Sequence, residues 1–115
     1  MALKRGDIIL VPFPFTDLSS SKVRPAVIIS ADPQEEDVSI AFISSVVSNP
    51  LKNTEFLLSP SHPNFSSTGL KKESIFKMNK MLTLHTSLIL RRLGRAVPAI
   101  QKELDKLLKK ALGLL

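Results

Sequence analysis

The chain has 115 residues, of which 43% are hydrophobic and 23% are charged, and a formal net charge of +6 at pH 7. This composition is typical of one soluble globular domain, which we expect to span residues 1–115. The sequence contains no cysteine, which excludes a disulfide framework, a thiolate metal site and a cysteine nucleophile. No apolar run approaches the roughly 20 residues of a membrane span, so we expect a cytoplasmic protein without membrane contact. The positive charge favours an anionic partner.

Short apolar segments separated by turn residues predict a series of β-strands. In chain order, the predicted strands cover residues 7–11, 25 or 26 to 30, 38 to 44 or 45, 55–58, and 73–78 with a possible extension to 84. The segment 88–92 is compatible with a strand or a short helix, and its pattern does not separate the two. Turns rich in proline, serine and acidic residues divide these segments.

The C-terminal segment has helical periodicity. Its apolar residues repeat on one face, with charged residues largely on the others. The apolar positions are Ile100, Leu104, Leu107, Leu108 and Ala111. Pro98 suits the first turn and Gly113 the end of a helix. We expect this helix to close over the sheet rather than to lie on a membrane, because acidic residues interleave with its lysines. The elements together predict a small, mainly β barrel or curled sheet with one late helix.

Several catalytic classes have no support in the sequence. His62 and His85 stand alone, without the spacing of a zinc site, and a paired-histidine mechanism would need them to meet across the fold. The carboxylates between residues 32 and 37 are typical of a solvated loop rather than a magnesium site. The chain has no phosphate-binding loop, dinucleotide glycine motif or serine elbow.

The segment that contains Arg24 suggests phosphate chemistry. Pro25 restricts the backbone around Arg24, so this arginine is held at the entrance of a strand. Ser44 and Ser45 end the next strand. If the two strands are antiparallel neighbours, a guanidinium and a hydroxyl share one rim. That pair suffices for RNA cleavage without a metal, because the RNA 2′-hydroxyl supplies the nucleophile.

An ordered set of motifs gives this suggestion a family context. The motifs are Lys4-Arg5-Gly6-Asp7-Ile8-Ile9-Leu10-Val11, Phe13-Pro14-Phe15-Thr16-Asp17, Lys22-Val23-Arg24-Pro25-Ala26-Val27-Ile28-Ile29, Ile43-Ser44-Ser45, Gly69-Leu70 with Ser74, and residues 88–94. In this order and spacing the chain resembles the MazF/PemK (Kid) toxins, the endoribonucleases of toxin–antitoxin pairs. The resemblance covers nearly the whole chain, and its N-terminal motifs are the most specific.

The resemblance implies a mainly β fold with a C-terminal helix, an SH3-like β-barrel of the MazF/PemK/CcdB type. It also implies a homodimer that cleaves single-stranded RNA without metal or other cofactor, leaving a 2′,3′-cyclic phosphate and a 5′-hydroxyl. The family's central arginine falls on Arg24 and its catalytic threonine on Ser44. Serine keeps the hydroxyl but lacks the methyl group that restricts χ1.

The resemblance also implies substrate contacts around this pair. The expected RNA-binding residues are Phe13, Phe15, Thr16, Lys22, Ser45 and Ser74. Phe13 and Phe15 could stack on bases, or could anchor their loop by apolar packing. The expected protein partner is a small antitoxin with an acidic, partly disordered tail, through whose complex DNA would be bound.

Two other functions stay open at this point. One is a gyrase poison of the CcdB type, which needs no catalytic arginine and is therefore less consistent with the intact Arg24 motif. The other is a non-catalytic RNA- or antitoxin-binding module, in which Ser44 marks lost activity.

Overall fold

The computed structural model describes residues 2–12, 22–46 and 50–114. The strands and the helix of the described chain are β1 (Asp7–Pro12), β2 (Val23–Ala31), β3 (Asp37–Ser44), β4 (Glu55–Leu58), β5 (Ser74–His85), β6 (Arg91–Arg95) and α1 (Pro98–Ala111). Two short 3-10 turns occupy Ser66–Thr68 and Thr86–Leu88. No helix among these residues is long and apolar enough to cross a membrane.

The strands form one antiparallel sheet in the order β4-β5-β3-β2-β1-β6. The strand register shifts at three places, between Ile8 and Ile9, between Ile28 and Ser30, and between Ala41 and Phe42. Such irregularities bend a strand and increase its twist. The sheet therefore curls into a half-barrel, which confirms the predicted mainly β, SH3-like class with a C-terminal helix.

The two faces of the curled sheet carry separate apolar clusters. The helix face is the one that α1 covers, and its buried residues are Ile8, Val27, Ala41, Ile43, Leu58, Phe76, Met78, Ala96, Ile100 and Leu104. The second face is the opposite one, and its buried residues are Ile9, Val11, Ala26, Ile28, Val38, Ile40, Phe42 and Leu84. Because side chains alternate along a strand, consecutive residues of β2 and β3 project to opposite faces.

The C-terminal helix matches its prediction closely. It begins at Pro98, and Gly113 beyond its end has the positive φ of +73° that suits a residue after a helix terminus. Ile100 and Leu104 are buried, and Leu107 packs beside them. The apolar face predicted from the sequence is therefore covered by the sheet, as expected.

The strand boundaries differ from the predictions where pairing extends an element. β2 begins at Val23 rather than at residue 25 or 26, because Val23 pairs with Pro12 of β1. The fifth strand takes the longer of its two predicted forms and reaches His85. The ambiguous segment 88–92 contains both elements, since a 3-10 turn ends at Leu88 and β6 begins at Arg91.

Candidate active site

The start of β2 lies beside the end of β3, as expected for antiparallel neighbours. The two strands are antiparallel, and Ala26 is opposite Phe42. Continuing this register by two residues brings Arg24 level with Ser44. Both residues lie two positions from a residue of the second-face cluster, so their side chains project to the second face. The structure therefore brings the two predicted catalytic residues to one face of one rim.

Arg24 is positioned by the strand on its other side. It pairs with Val11 of β1, and Pro25 pairs with Leu10. The β2–β3 ladder begins only at Ala26, so the missing N–H of Pro25 leaves that ladder intact. The half-buried Arg24 side chain donates from Nη1 to the carbonyl oxygen of Val23 at 3.1 Å. This hydrogen bond holds the guanidinium beside the start of β2.

Ser44 makes a local turn with Val46. Its Oγ accepts a hydrogen bond from the Val46 N–H at 3.1 Å, and the donation from Oγ to the Val46 carbonyl is long, at 3.5 Å. The first bond orients the hydroxyl, while the second is weak. The hydroxyl proton of Ser44 is therefore available to a stronger acceptor such as a phosphate oxygen.

Lys77 is a cation near this pair that the sequence reasoning missed. It lies opposite Phe42 in the β3–β5 ladder, and Ile75, two residues earlier, lies opposite Ser44. Lys77 therefore projects to the second face one residue pair away from Ser44. It is half-buried, which is unusual for a lysine. The signal was available, because Lys77 interrupts an otherwise apolar stretch of β5.

The other residues predicted to contact RNA lie in different parts of the structure. Lys22 is exposed immediately before β2, close in sequence to Arg24. Ser45 and Ser74 instead line a cavity of about 320 Å³ at the same end of the sheet. Ser74 is buried, and its Oγ donates to the carbonyl oxygen of Lys72 at 2.8 Å. Ser74 therefore shapes the turn before β5, and its role in RNA binding stays a prediction. Phe13, Phe15 and Thr16 lie outside the described residues.

The cavity lies on the helix face and is bounded by cations that the sequence reasoning did not select. Its lining residues are Leu10, Pro25, Ser45, Gly69, Leu70, Lys71, Lys72, Ser74, Arg91 and Leu93. Leu70 and Leu93 pack against the helix-face cluster, which places the cavity on that face. The positive charge of this end of the sheet therefore extends to both faces.

The histidines hold local turns. The His62 Nδ1 accepts from the Asn64 N–H at 3.0 Å, and the His85 Nδ1 accepts from the Ser87 N–H at 3.0 Å. His85 is the last residue of β5, whereas Arg24 lies near the first residue of that strand, Ser74. His85 is therefore at the opposite end of the sheet from Arg24. In the described part of the chain, no three histidine or acidic side chains are grouped as a metal site would require.

Comparisons with known proteins place these features in a family. The family model described as PemK-like, MazF-like toxin of type II toxin–antitoxin system matches residues 4–112. No curated protein sequence matches the chain significantly. The family match spans both predicted catalytic residues and the cavity.

Solved structures of similar shape have low sequence identity to the chain. An endoribonuclease of a mycobacterial species, in complex with its cognate antitoxin, has a TM-score of 0.77 at 20% identity, with 99% of this chain and 98% of that chain covered. The Mycobacterium tuberculosis toxin MazF-mt6 has a TM-score of 0.74 at 19% identity, covering 95% and 98%. MazF in a MazE–MazF complex from Deinococcus radiodurans has a TM-score of 0.74 at 18% identity, covering 98% and 97%.

These structures share the fold of the chain along nearly its full length, while the family model carries the assignment. Neither comparison favours a gyrase poison of the CcdB type. The chain therefore belongs to the PemK-like, MazF-like toxins of type II toxin–antitoxin systems.

Proposed function

We propose that this toxin is a cytoplasmic, single-domain endoribonuclease that cleaves single-stranded mRNA without a metal ion. The observation that carries the proposal is the position of Arg24 level with Ser44, on one face of the adjacent ends of β2 and β3. The endoribonuclease activity of similarly folded toxins supports the reaction class.

The reaction begins with attack of an RNA 2′-hydroxyl oxygen on the adjacent phosphorus atom. A bond forms between that oxygen and phosphorus, the bond to the 5′-oxygen breaks, and the products carry a 2′,3′-cyclic phosphate and a 5′-hydroxyl. The attacking hydroxyl loses a proton and the leaving 5′-oxygen gains one. Negative charge accumulates on the non-bridging oxygens at the crowded phosphorane, which is the charge that the protein must stabilise.

Arg24 stabilises this negative charge in the proposed mechanism. A guanidinium presents several N–H donors in a fixed plane and keeps its proton in proteins, so it acts by hydrogen bonding and electrostatics. Lys77 adds a second cation on the same face, where Glu55 lies opposite it in the β4–β5 ladder. The hydroxyl of Ser44, oriented by the Val46 N–H, donates to a phosphate oxygen.

The remaining predicted contacts surround this pair. Lys22, exposed before β2, contacts a neighbouring phosphate, and Ser45 lies next to Ser44 at the end of β3. Phe13, Phe15 and Thr16 are proposed to contact bases, and Ser74 is the least direct of the predicted residues, because its hydroxyl already bonds within the turn.

The test is cleavage of a long unstructured RNA in excess EDTA, with identification of the product termini. We expect cyclic-phosphate ends from the wild-type protein and a loss of about 10²–10³ in rate for Arg24→Ala, as for removal of one preorganised donor. Lys110→Ala, which removes an exposed cation at the end of α1, should leave the rate unchanged. In the same assay Ser44→Ala should be slower than wild type, and Ser44→Thr should be active.

Three results would contradict the proposal, and two of them identify an alternative. Cleavage that requires a divalent ion contradicts the proposed mechanism. Intact RNA together with trapped, cleaved DNA in a gyrase assay identifies a gyrase poison. RNA binding without cleavage by the wild type, with activity gained by Ser44→Thr, identifies a non-catalytic module.

A small acidic antitoxin and a second copy of the chain are the proposed protein partners. Similar structures include a mycobacterial endoribonuclease with its cognate antitoxin and a MazE–MazF complex, and the net charge of +6 suits an acidic partner. Light scattering on the purified chain tests the homodimer. An acidic protein encoded beside the toxin, which inhibits its RNase activity when co-purified, tests the antitoxin.

A further inference from the structure

The Thr86–Leu88 turn, which connects β5 to β6, is held by hydrogen bonds rather than by packing. None of its three residues is buried. The Thr86 N–H donates to the carbonyl oxygen of Glu36 at 2.8 Å, and the Ser87 N–H donates to the Nδ1 atom of His85 at 3.0 Å. Because a segment with few buried contacts depends on such bonds, their loss opens it locally.

The same contacts determine where the neutral His85 ring carries its proton. Because Nδ1 accepts the Ser87 N–H, this nitrogen has no proton of its own, and the proton of the neutral ring is on Nε2. Nε2 is 3.2 Å from Oε2 of Glu36 and donates to it. The neutral ring therefore connects the Thr86–Leu88 turn to the segment that precedes β3.

A second proton on the ring would break one of these two connections. Both nitrogens of a protonated histidine are donors, so Nδ1 then needs an acceptor. The Ser87 hydroxyl, 2.8 Å from Nδ1, can take that role because a hydroxyl both donates and accepts. The Ser87 N–H cannot, since a backbone amide only donates. Protonation therefore preserves the contact with Glu36 but removes the acceptor of the Ser87 N–H.

The surroundings of His85 are mainly acidic. Asp37 lies opposite it in the β3–β5 ladder, and the Glu36 carboxylate contacts its ring. The other charged residues beside the turn line a cavity of about 470 Å³ together with Thr86, and they are Lys4, Asp32 and Glu35. A positive charge on the ring is therefore compatible with its neighbours, because opposite charges attract.

We propose that His85 is a pH-sensitive switch for the connection between β5 and β6. The neutral ring closes the Thr86–Leu88 turn, and the protonated ring releases the Ser87 N–H, so that the connection opens locally. Histidine is the side chain that ordinarily changes charge between about pH 5 and pH 8. This inference goes beyond the proposed RNA cleavage and does not depend on it.

His62 provides a comparison within the same chain. Its Nδ1 atom accepts the Asn64 N–H at 3.0 Å, in the same way that His85 accepts the Ser87 N–H. His62 makes no ion pair with any described residue, whereas His85 contacts Glu36. The sequence has two histidines and no cysteine, so substitution of each histidine in turn identifies which one causes a response to pH.

The test is amide hydrogen exchange of the full chain, followed residue by residue by NMR at about pH 5 and pH 8. Each rate is divided by the exchange rate of an unstructured amide at that pH, which gives a protection factor. We expect the protection factor of Ser87 to be about tenfold lower at the acidic pH, because one hydrogen bond is lost. Leu90 should keep its protection, since its N–H donates to the Leu10 carbonyl of β1 at 2.9 Å.

The test variant is His85→Asn, and the matched control is His62→Asn. The asparagine carbonyl can accept the Ser87 N–H but does not titrate, so the protection of Ser87 in His85→Asn should be the same at both pH values. The control should keep the wild-type response. Ring-nitrogen chemical shifts of the wild-type protein verify that His85 gains its second proton in this range.

Three results would overturn the switch. The first is equal protection of Ser87 in the wild-type protein at both pH values. The second is a pH response that persists in His85→Asn. The third is an equal loss of protection at Ser87 and Leu90, because that result indicates general unfolding and not local opening. RNA cleavage is a separate measurement, so failure of the switch leaves the proposed function unaffected.

Discussion

Two groups of cations lie towards the two ends of β1 and differ in what neutralises them. The paired cluster consists of Arg5, Arg92 and Arg95 with the carboxylates of Asp7 and Asp105. Arg5 Nη2 is 2.6 Å from Asp105 Oδ1, while the Nε atoms of Arg92 and Arg95 are 3.5 and 3.4 Å from Asp7 Oδ1. The cavity cluster consists of Lys71, Lys72 and Arg91, which have no carboxylate partner among the described residues.

Cavity size alone would favour the paired cluster as the anion-binding surface. The paired cluster borders a cavity of about 610 Å³, larger than the 320 Å³ of the cavity cluster. Its arginines nevertheless already hold carboxylates of the protein, so an external anion would have to compete with them. Uncompensated charge, more than volume, therefore marks a surface that can take an anion. The paired cluster therefore stabilises the fold, while the cavity cluster is left open to an anionic partner.

Among the variants that test this difference between the clusters, the largest loss of stability should come from substitution of Gly69, which positions the cavity cluster. Gly69→Ala introduces a Cβ that overlaps Leu93 and forces a left-handed backbone on alanine. We expect a loss of about 3 kcal/mol in the free energy of unfolding, measured by urea denaturation. Gly113→Ala is the matched control, because Gly113 has a similar φ of +73° but nothing within 4 Å of its Cβ position. Equal losses for the two variants would contradict the close approach.

A smaller effect is expected from the buried carboxylate of the paired cluster. Asp7 Oδ2 accepts from the Lys4 N–H at 2.9 Å, and Oδ1 faces the two arginines. Asp7→Asn removes the charge but keeps the shape, and should cost about 2 kcal/mol of unfolding free energy, because hydrogen bonds to a charged group are lost. Lys71→Gln/Lys72→Gln should cost almost nothing in the same denaturation experiment. A larger loss for Lys71→Gln/Lys72→Gln than for Asp7→Asn would contradict the assignment of the paired cluster to stability.

The smallest effect concerns Asp105, at the exposed edge of the paired cluster. Partial burial opposes its ionisation, but hydrogen bonds from Arg5 and Gln101 and the charges of Arg5 and Lys109 outweigh it, so the pKa of Asp105 lies below 3.8. A lowered pKa in the folded state means that the charged form contributes stability above about pH 4, and this contribution disappears as the pH falls through the lowered pKa.

Asp105→Asn should therefore reduce the unfolding free energy by less than about 1 kcal/mol at pH 7, since the pair with Arg5 is solvent-exposed. The difference between variant and wild type should shrink as the pH falls through this lowered pKa, from pH 7 towards pH 2. Thermal unfolding measured at both pH values tests this. A constant difference at both values would mean that packing, and not the ion pair, causes the loss.

Local patterns predicted the elements that have a clear periodicity or clear turn boundaries. The segment 55–58 has the predicted bounds as β4, and α1 begins at the predicted Pro98. The segment 88–92 could not be assigned, because β6 exists through its pairing with β1 and pairing partners are not local information. The length of β5 was left open for the same reason, since its second half is paired with β3.

In the candidate site, too, the residue types were predictable from the sequence, whereas their tertiary placement was not. Arg24 and Ser44 were selected by residue chemistry and by the family resemblance, and the register of β2 and β3 brings them level. The placement of Ser45 on the other face follows from strand alternation, a signal the sequence did contain. The location of Lys77 depends on a bulged ladder, and the location of Lys71 at the same cavity as Arg91 depends on the packing of a turn against β6. Lys77 does interrupt an apolar stretch of the sequence, but its position on the second face opposite Phe42, like the packing of the turn, has no local signature.

Residue types, hydrophobic periodicity and the order of motifs were enough to identify the fold class and the family, and they predict Arg24 and Ser44 as the reacting pair. The tertiary structure decided which charges are compensated. Lysines and arginines look alike in a sequence, whether they contact a carboxylate or surround a cavity. Only the folded chain, in which residues 88 positions apart such as Asp7 and Arg95 make contact, separates the cations that hold carboxylates from those without a described carboxylate partner.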